Sequence, residues 1–156
     1  EWYKEHDLHH FGISGLREAN VNPKVYEALT RGMSPAGCTA FLKNALVIRC
    51  QENDLLIAAE DGGKGLGIVL DGKLGVVIGG KTMTELQPGA LFGEIAFVLD
   101  SRRTASLVAA APDTRVLLFS LSAYRRLEDE SDKKCFWRNL AQVLAKRVLA
   151  SDKLRS

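Results

Sequence analysis

Histidine is scarce in this chain: there are three, His6, His9 and His10, and all precede residue 11. Cupin-type metalloenzymes carry their ligand histidines on barrel strands, so any barrel built from the later residues lacks that chemistry. The cluster itself, with His6 and His10 on a shared helix face, offers too few ligands for a metal, and solvated histidines are the simpler reading. Cysteine is equally sparse. Cys38, Cys50 and Cys135 are odd in number and far apart, which excludes a disulfide framework and fits a reducing, cytoplasmic setting. No apolar run approaches the roughly 18 residues of a membrane span, and no signal-peptide pattern opens the chain. The net charge is only +2 and the basic residues are dispersed, so this fragment is not expected to bind nucleic acid directly. What remains is a soluble composition, 46% hydrophobic and 26% charged over 156 residues, enough for one domain with a core. The chain starts at Glu1 and stops in the polar LASDKLRS, the pattern of a piece of something larger.

Residues 1–44 read as a helical segment. Asn22-Pro23 supplies a cap and a proline at the first helical position, Gly32 ends that helix, and Ser34-Pro35 starts another that runs to about Lys43. The stretch EWYKEHDLHH is amphipathic and has no evident place. From Ala45 the period changes to short β-rich runs, ALVIRC, LLIA, LGIVL, KLGVVI, TMTEL, ASLVAA and TRVLLFSL, divided by turn signals such as Asp71-Gly72, Gly79-Gly80 and Pro88-Gly89. Seven or more such strands over residues 45–121 predict a jelly-roll β-barrel. Residues 122–156 return to helix: a short one capped by Ser122, then a longer one from Ser131-Asp132 with Trp137, Leu140, Leu144 and Val148 as its apolar stripe. The predicted fold is mainly β with flanking helices.

Gly75–Thr82, GVVIGGKT, satisfies the phosphate-loop pattern G-x-x-x-x-G-K-[ST]. That loop works only between a strand and a helix whose N-terminus faces the phosphates. Here its variable positions begin Val76-Val77-Ile78, which prefer extended strand, and Pro88-Gly89 follows too soon for a helix. The pattern therefore reads as a hairpin turn at Gly79-Gly80.

A second stretch, Phe92–Ser106, FGEIAFVLDSRRTAS, has the parts of a phosphate–ribose site. Gly93 lets backbone approach a ligand, and a short helix starting near Glu94 would aim free N–H groups at an anion. An arginine returning across the site offers a charge-assisted, bidentate grip on phosphate oxygens. Thr104, Ala105 and Ser106 are small enough to leave backbone amides accessible.

Phe92-Gly93-Glu94-Ile95-Ala96 and Arg103-Thr104-Ala105-Ser106, with nine positions from Glu94 to Arg103, resemble the phosphate-binding cassette of cyclic nucleotide-binding domains. The likeness extends over residues 46–149, with GIVLDGKLGVV as the central hairpin, LQPGALFGE as the lead-in, and closing helices similar to the family's B and C helices. It implies that Glu94 accepts from the ribose 2′-hydroxyl, and that Arg103 pairs with the cyclic phosphate alongside amides near Ile95 and Ala105. Thr104 leaves both cAMP and cGMP open, since threonine there is associated with a syn guanine. Val76 and Met83 would fall near the base. Arg102 matches no ligand position. Two positions depart from the family: Gly67 stands where an aromatic residue is usual, and Asn53 replaces a common turn glycine, a change that asparagine tolerates.

What the resemblance implies is a sensor and not an enzyme, with no cofactor or metal. The ligand would favour the state in which the last helix closes over the pocket, and so bias an attached effector: a channel, transcription factor, transporter or enzyme outside this chain. The last helix would also serve a homodimer. The competing expectation is an interaction module that uses the roll as a scaffold without nucleotide.

Overall fold

The computed structural model describes residues 7–11, 24–43, 45–57, 65–93, 105–120 and 124–155. Two antiparallel sheets form its centre. One runs in the order β1 (Asp7–Phe11), β2 (Ala45–Cys50), β9 (Thr114–Ser120), β4 (Gly65–Asp71) and β7 (Leu91–Phe92). The other runs β3 (Leu55–Ile57), β8 (Ser106–Ala109), β5 (Leu74–Ile78) and β6 (Lys81–Leu86). Helices α1 (Lys24–Thr30), α2 (Pro35–Leu42) and α3 (Glu130–Arg155) flank the first sheet. This is the expected β architecture with helical flanks.

Strands β2, β9 and β4 of the five-stranded sheet are covered on both faces, which is why they read as nearly continuous apolar runs. Leu66, Ile68, Leu70, Leu117 and Phe119 join Tyr26, Leu29, Phe41, Phe136 and Leu140 in a core against the helices. Their strand neighbours Ile48, Cys50, Val69, Phe92 and Val116 point the other way, to meet Leu56, Leu74, Leu107 and Ala109 between the sheets. The alternation of a pleated strand thus serves two cores at once.

Several turn signals act as expected. Gly79 and Gly80 hold φ +60 and +77 in the two-residue link between β5 and β6, where Ile78 pairs with Lys81. Two left-handed residues make a type I′ hairpin, so GVVIGGKT is strand, turn and strand. At Pro88-Gly89 the Ala90 N–H donates to the Gln87 carbonyl over 3.0 Å, and Gly89 sits at φ +92. That is a type II turn. Gly89 also donates to the Val69 carbonyl while Val69 donates to that of Ala90, making a glycine bulge that swings the chain into β7. Asn53 adopts φ +75, the left-handed turn position foreseen for it.

Two expectations change. Residues 7–11 are not helical: they extend antiparallel along β2, with His10 opposite Leu46, so His10 is on a strand and not on a helix face, while His6 lies outside the described residues. In α3, meanwhile, Phe136 takes the inward place at 0% exposure, whereas Trp137 sits at the rim with 38% exposure and Val148 is exposed at 59%. Leu140 and Leu144 keep the inward places expected of them, while Phe136 replaces Trp137 because its ring packs with those of Phe41 and Tyr124, 5.3 and 5.4 Å away. The short helix expected after Ser122 is helical where it is described, at Tyr124–Arg125, and the Leu127 N–H donates to the Tyr124 carbonyl as it ends.

Polar side chains then fasten α3 to the N-terminal helices. Ser34 caps α2, its Oγ accepting from the Gly37 N–H at 3.0 Å. The same hydroxyl and the Ser34 N–H donate to the two carboxylate oxygens of buried Asp132, at 2.7 and 2.8 Å. Gly37 is required for space here, since a Cβ would meet Asp132 Oδ2 at 2.3 Å. Two helical turns on, Asn139 Nδ2 donates to the carbonyls of Leu29 and Arg31 at 2.8 and 2.9 Å, satisfying the end of α1.

Candidate functional site

The cassette's two ends are described, while Glu94, Ile95, Ala96, Arg103 and Thr104 lie outside the described residues. Its start belongs to one sheet and its finish to the other. Phe92 ends β7, at the margin of the five-stranded sheet, and Ala105 precedes β8 of the four-stranded sheet. The segment between is therefore a crossover joining the two layers.

At the start, β7 pairs with β4 so that Gly67 faces Phe92 and Ile68 faces Leu91. Phe92 is buried between the sheets. A Cβ on Gly67 would lie 2.1 Å from Cζ of that ring, far inside van der Waals contact. This accounts for the departure noted at Gly67: the aromatic group over this part of β4 comes from the neighbouring strand, and only a residue without a side chain leaves it room. Phe92 is thus a core anchor by its ring, and its backbone leads into Gly93, which holds φ +78. A left-handed glycine turns the chain out of the sheet at the point where the cassette begins.

At the finish, Ser106 pairs with Val77 and Leu107 with Val76, which places Val76 beside the strand leaving the cassette. Val76 is half-buried against the inter-sheet core. On the next strand, Thr82 faces Val77 and Thr84 faces Val76, so Met83 is the extra residue of a β-bulge. Bulges re-aim side chains at the margins of sheets. Met83 is 59% exposed there. The fold therefore brings Ala105, Val76 and Met83 to adjacent strands of one sheet, with Phe92 and Gly93 on the other.

The lead-in has a further partner that the sequence reading did not name. Arg147, on the fourth turn of α3 beyond Asp132, donates from its Nη2 to the carbonyl of Leu91. Burial of its guanidinium lowers the Arg147 pKa, as expected when a cation is drawn out of water. No motif could have flagged it, because its acceptor is a main-chain oxygen 56 residues away.

Comparison with known proteins gives a consistent picture. The sequence profile of the family described as Cyclic nucleotide-binding domain matches residues 47–131. Among solved structures, a cyclic nucleotide-binding domain from Methylobacillus flagellatus superimposes with a TM-score of 0.74 at 23% identity, over 93% of this chain and 85% of that one. The catabolite activator protein of Thermus thermophilus gives 0.64 at 28% identity, over 80% of this chain and 60% of that one. The regulatory subunit of a cAMP-independent protein kinase A from Trypanosoma cruzi, bound to guanosine, gives 0.64 at 16% identity, over 76% and 43%. The chain thus spans most of the first protein and less than two thirds of the other two. No curated protein sequence is significantly similar to it.

Proposed function

Because the chain belongs to the cyclic nucleotide-binding domain family, we propose that it binds cAMP or cGMP through residues 92–105 and passes the binding event to an attached effector. The carrying observation is the pair of motif halves, Phe92-Gly93-Glu94-Ile95-Ala96 and Arg103-Thr104-Ala105, at the family's spacing, in the segment that crosses between the sheets. Glu94 receives the ribose 2′-hydroxyl, and Arg103 with nearby main-chain amides holds the cyclic phosphate. Val76 and Met83 flank the base, Val76 on the strand beside the one that leaves the cassette and Met83 on the strand after that. Phe92 and Gly93 shape the site rather than grip the ligand.

The role is binding without turnover. Nothing in the assigned set is a nucleophile with an adjacent base, so the ligand acts by favouring one state of the last helix. A coupling of about 1–3 kcal/mol is sufficient to bias an effector. The effector and any homodimer contact through α3 belong to the same proposal, in a cytoplasmic setting that the free thiols Cys38, Cys50 and Cys135 suit.

The test is calorimetric titration of ligand-free protein with cAMP, cGMP and guanosine. Guanosine is included because the trypanosomal regulatory subunit that shares this fold holds it. Micromolar or tighter binding of a cyclic nucleotide is expected, weakened by about 2–5 kcal/mol in Arg103→Ala, the loss typical of one partner of a buried charged pair. Preference for guanosine would displace the phosphate-centred reading. No heat from any of the three, with a folded protein, would favour the interaction module.

A further inference from the structure

The register of β7 determines which way its polar groups face. Val69 exchanges hydrogen bonds with Gly89 and Ala90, and Gly67 is the next position of β4 to face its partner two residues on, at Phe92. Hydrogen-bonded and non-bonded pairs alternate along an antiparallel ladder. The intervening pair, Ile68 with Leu91, is therefore a non-bonded one. Its consequence is that the Leu91 carbonyl turns away from β4, toward the margin of the sheet that β7 forms. An acceptor at such a margin, on a residue whose side chain is buried, needs a partner from outside the sheet.

Arg147 supplies it. Phe136, Leu140, Val143 and Leu144 make the inward face of α3, and Arg147 follows at the next inward position. The helix thus continues its apolar stripe with a cation, at the level of the Leu91 carbonyl. Beyond it Val148 and Leu149 are exposed. Two residues after the carbonyl comes Gly93, the left-handed turn that opens the cassette.

We infer that Arg147 is a positioning residue of the nucleotide site: its bond to the Leu91 carbonyl ties the strand entering the cassette to the C-terminal half of the last helix, so that the two shift together. The inference rests on the reading of residues 92–105 as the nucleotide site. It assigns the link between ligand and helix to one side chain. Ligand that settles the Gly93 turn settles Leu91, and through Arg147 the helix beyond Leu144. Asp132 and Asn139 hold the earlier turns whatever the cassette does.

The test pairs Arg147→Met, which keeps the apolar stem and removes the donors, with Arg147→Lys, which keeps a shorter-reaching donor. Hydrogen exchange of the ligand-free chain comes first. In Arg147→Met, exchange should rise about tenfold in peptides covering residues 88–93 and 145–150, as for loss of a hydrogen bond with a charged donor, and stay unchanged over 130–140. A rise confined to the helix, or none, overturns the tether. Affinity for the cyclic nucleotide that binds wild type is read next. A loss of about tenfold in Arg147→Met, largely restored in Arg147→Lys, supports the positioning role; unchanged affinity overturns it. Wild type that takes neither cAMP nor cGMP overturns the role at the site together with the function itself. The wild-type titration therefore separates the two failures.

Discussion

The two halves of the last helix are held by different means. Its first half is pinned from several sides: Phe136 and Leu140 are buried in the helix-side core, and Asp132 and Asn139 satisfy the ends of α2 and α1. Beyond Val143 and Leu144, which still pack on that core, the helix carries exposed Val148 and Leu149 and, among the described residues, meets the barrel at Arg147. Burial of large apolar groups and paired buried polar groups give the first half stability that a single arginine cannot match. The difference teaches which part of the helix belongs to the scaffold and which part is available for response. Low local stability is where ligand-driven motion is drawn from.

The largest effect should come from Phe136→Ala, which empties a site packed by Phe41, Tyr124 and Trp137. A loss of about 3–5 kcal/mol in urea denaturation is expected. A loss under half of that would mean the first half of the helix is not the anchor. Asp132→Ala and Asn139→Ala come next, at about 1–3 kcal/mol each, because the Ser34 donors and the carbonyls of Leu29 and Arg31 lose their partners. Equal stability with wild type in both would show that water replaces these caps freely.

Beneath the second half, Gly67→Ala drives a methyl into the Phe92 ring and should cost about 1–3 kcal/mol by overpacking. Adding Phe92→Leu should recover part of that loss, and a double-mutant cycle in thermal denaturation reads the recovery. Strictly additive losses would separate the glycine from the ring. The smallest effect belongs to Val148→Asp, expected within about 0.5 kcal/mol of wild type in the monomer. A large loss of stability, or one that depends on protein concentration, would reveal that this end of the helix is covered in solution.

Much of this arrangement was legible in advance, for identifiable reasons. Turns were readable because their chemistry is local: Gly79, Gly80 and Gly89 adopt the left-handed angles that glycine takes at least cost. The cap at Ser34 was readable for the same reason. The strand at Asp7–Phe11 was not, since a short polar segment becomes a strand only when β2 offers its free side. Of the helix stripe, Leu140 and Leu144 were read correctly and Trp137 was not, because Phe136 and Trp137 are equally apolar in sequence and the neighbouring rings decide which one turns inward.

At the site the same division holds. Sequence by itself determined the motif halves from Phe92 to Ser106 and their spacing, on which the proposed phosphate–ribose site rests. It also determined that GVVIGGKT is a hairpin, since valine and isoleucine flanking two glycines favour strand and turn. Only the tertiary structure decided why Gly67 has no side chain, and that Arg147 meets the Leu91 carbonyl. Both depend on surfaces contributed by strands and helices distant in sequence. A steric vacancy and a main-chain acceptor have no letter of their own, so they exist only once the chain has folded.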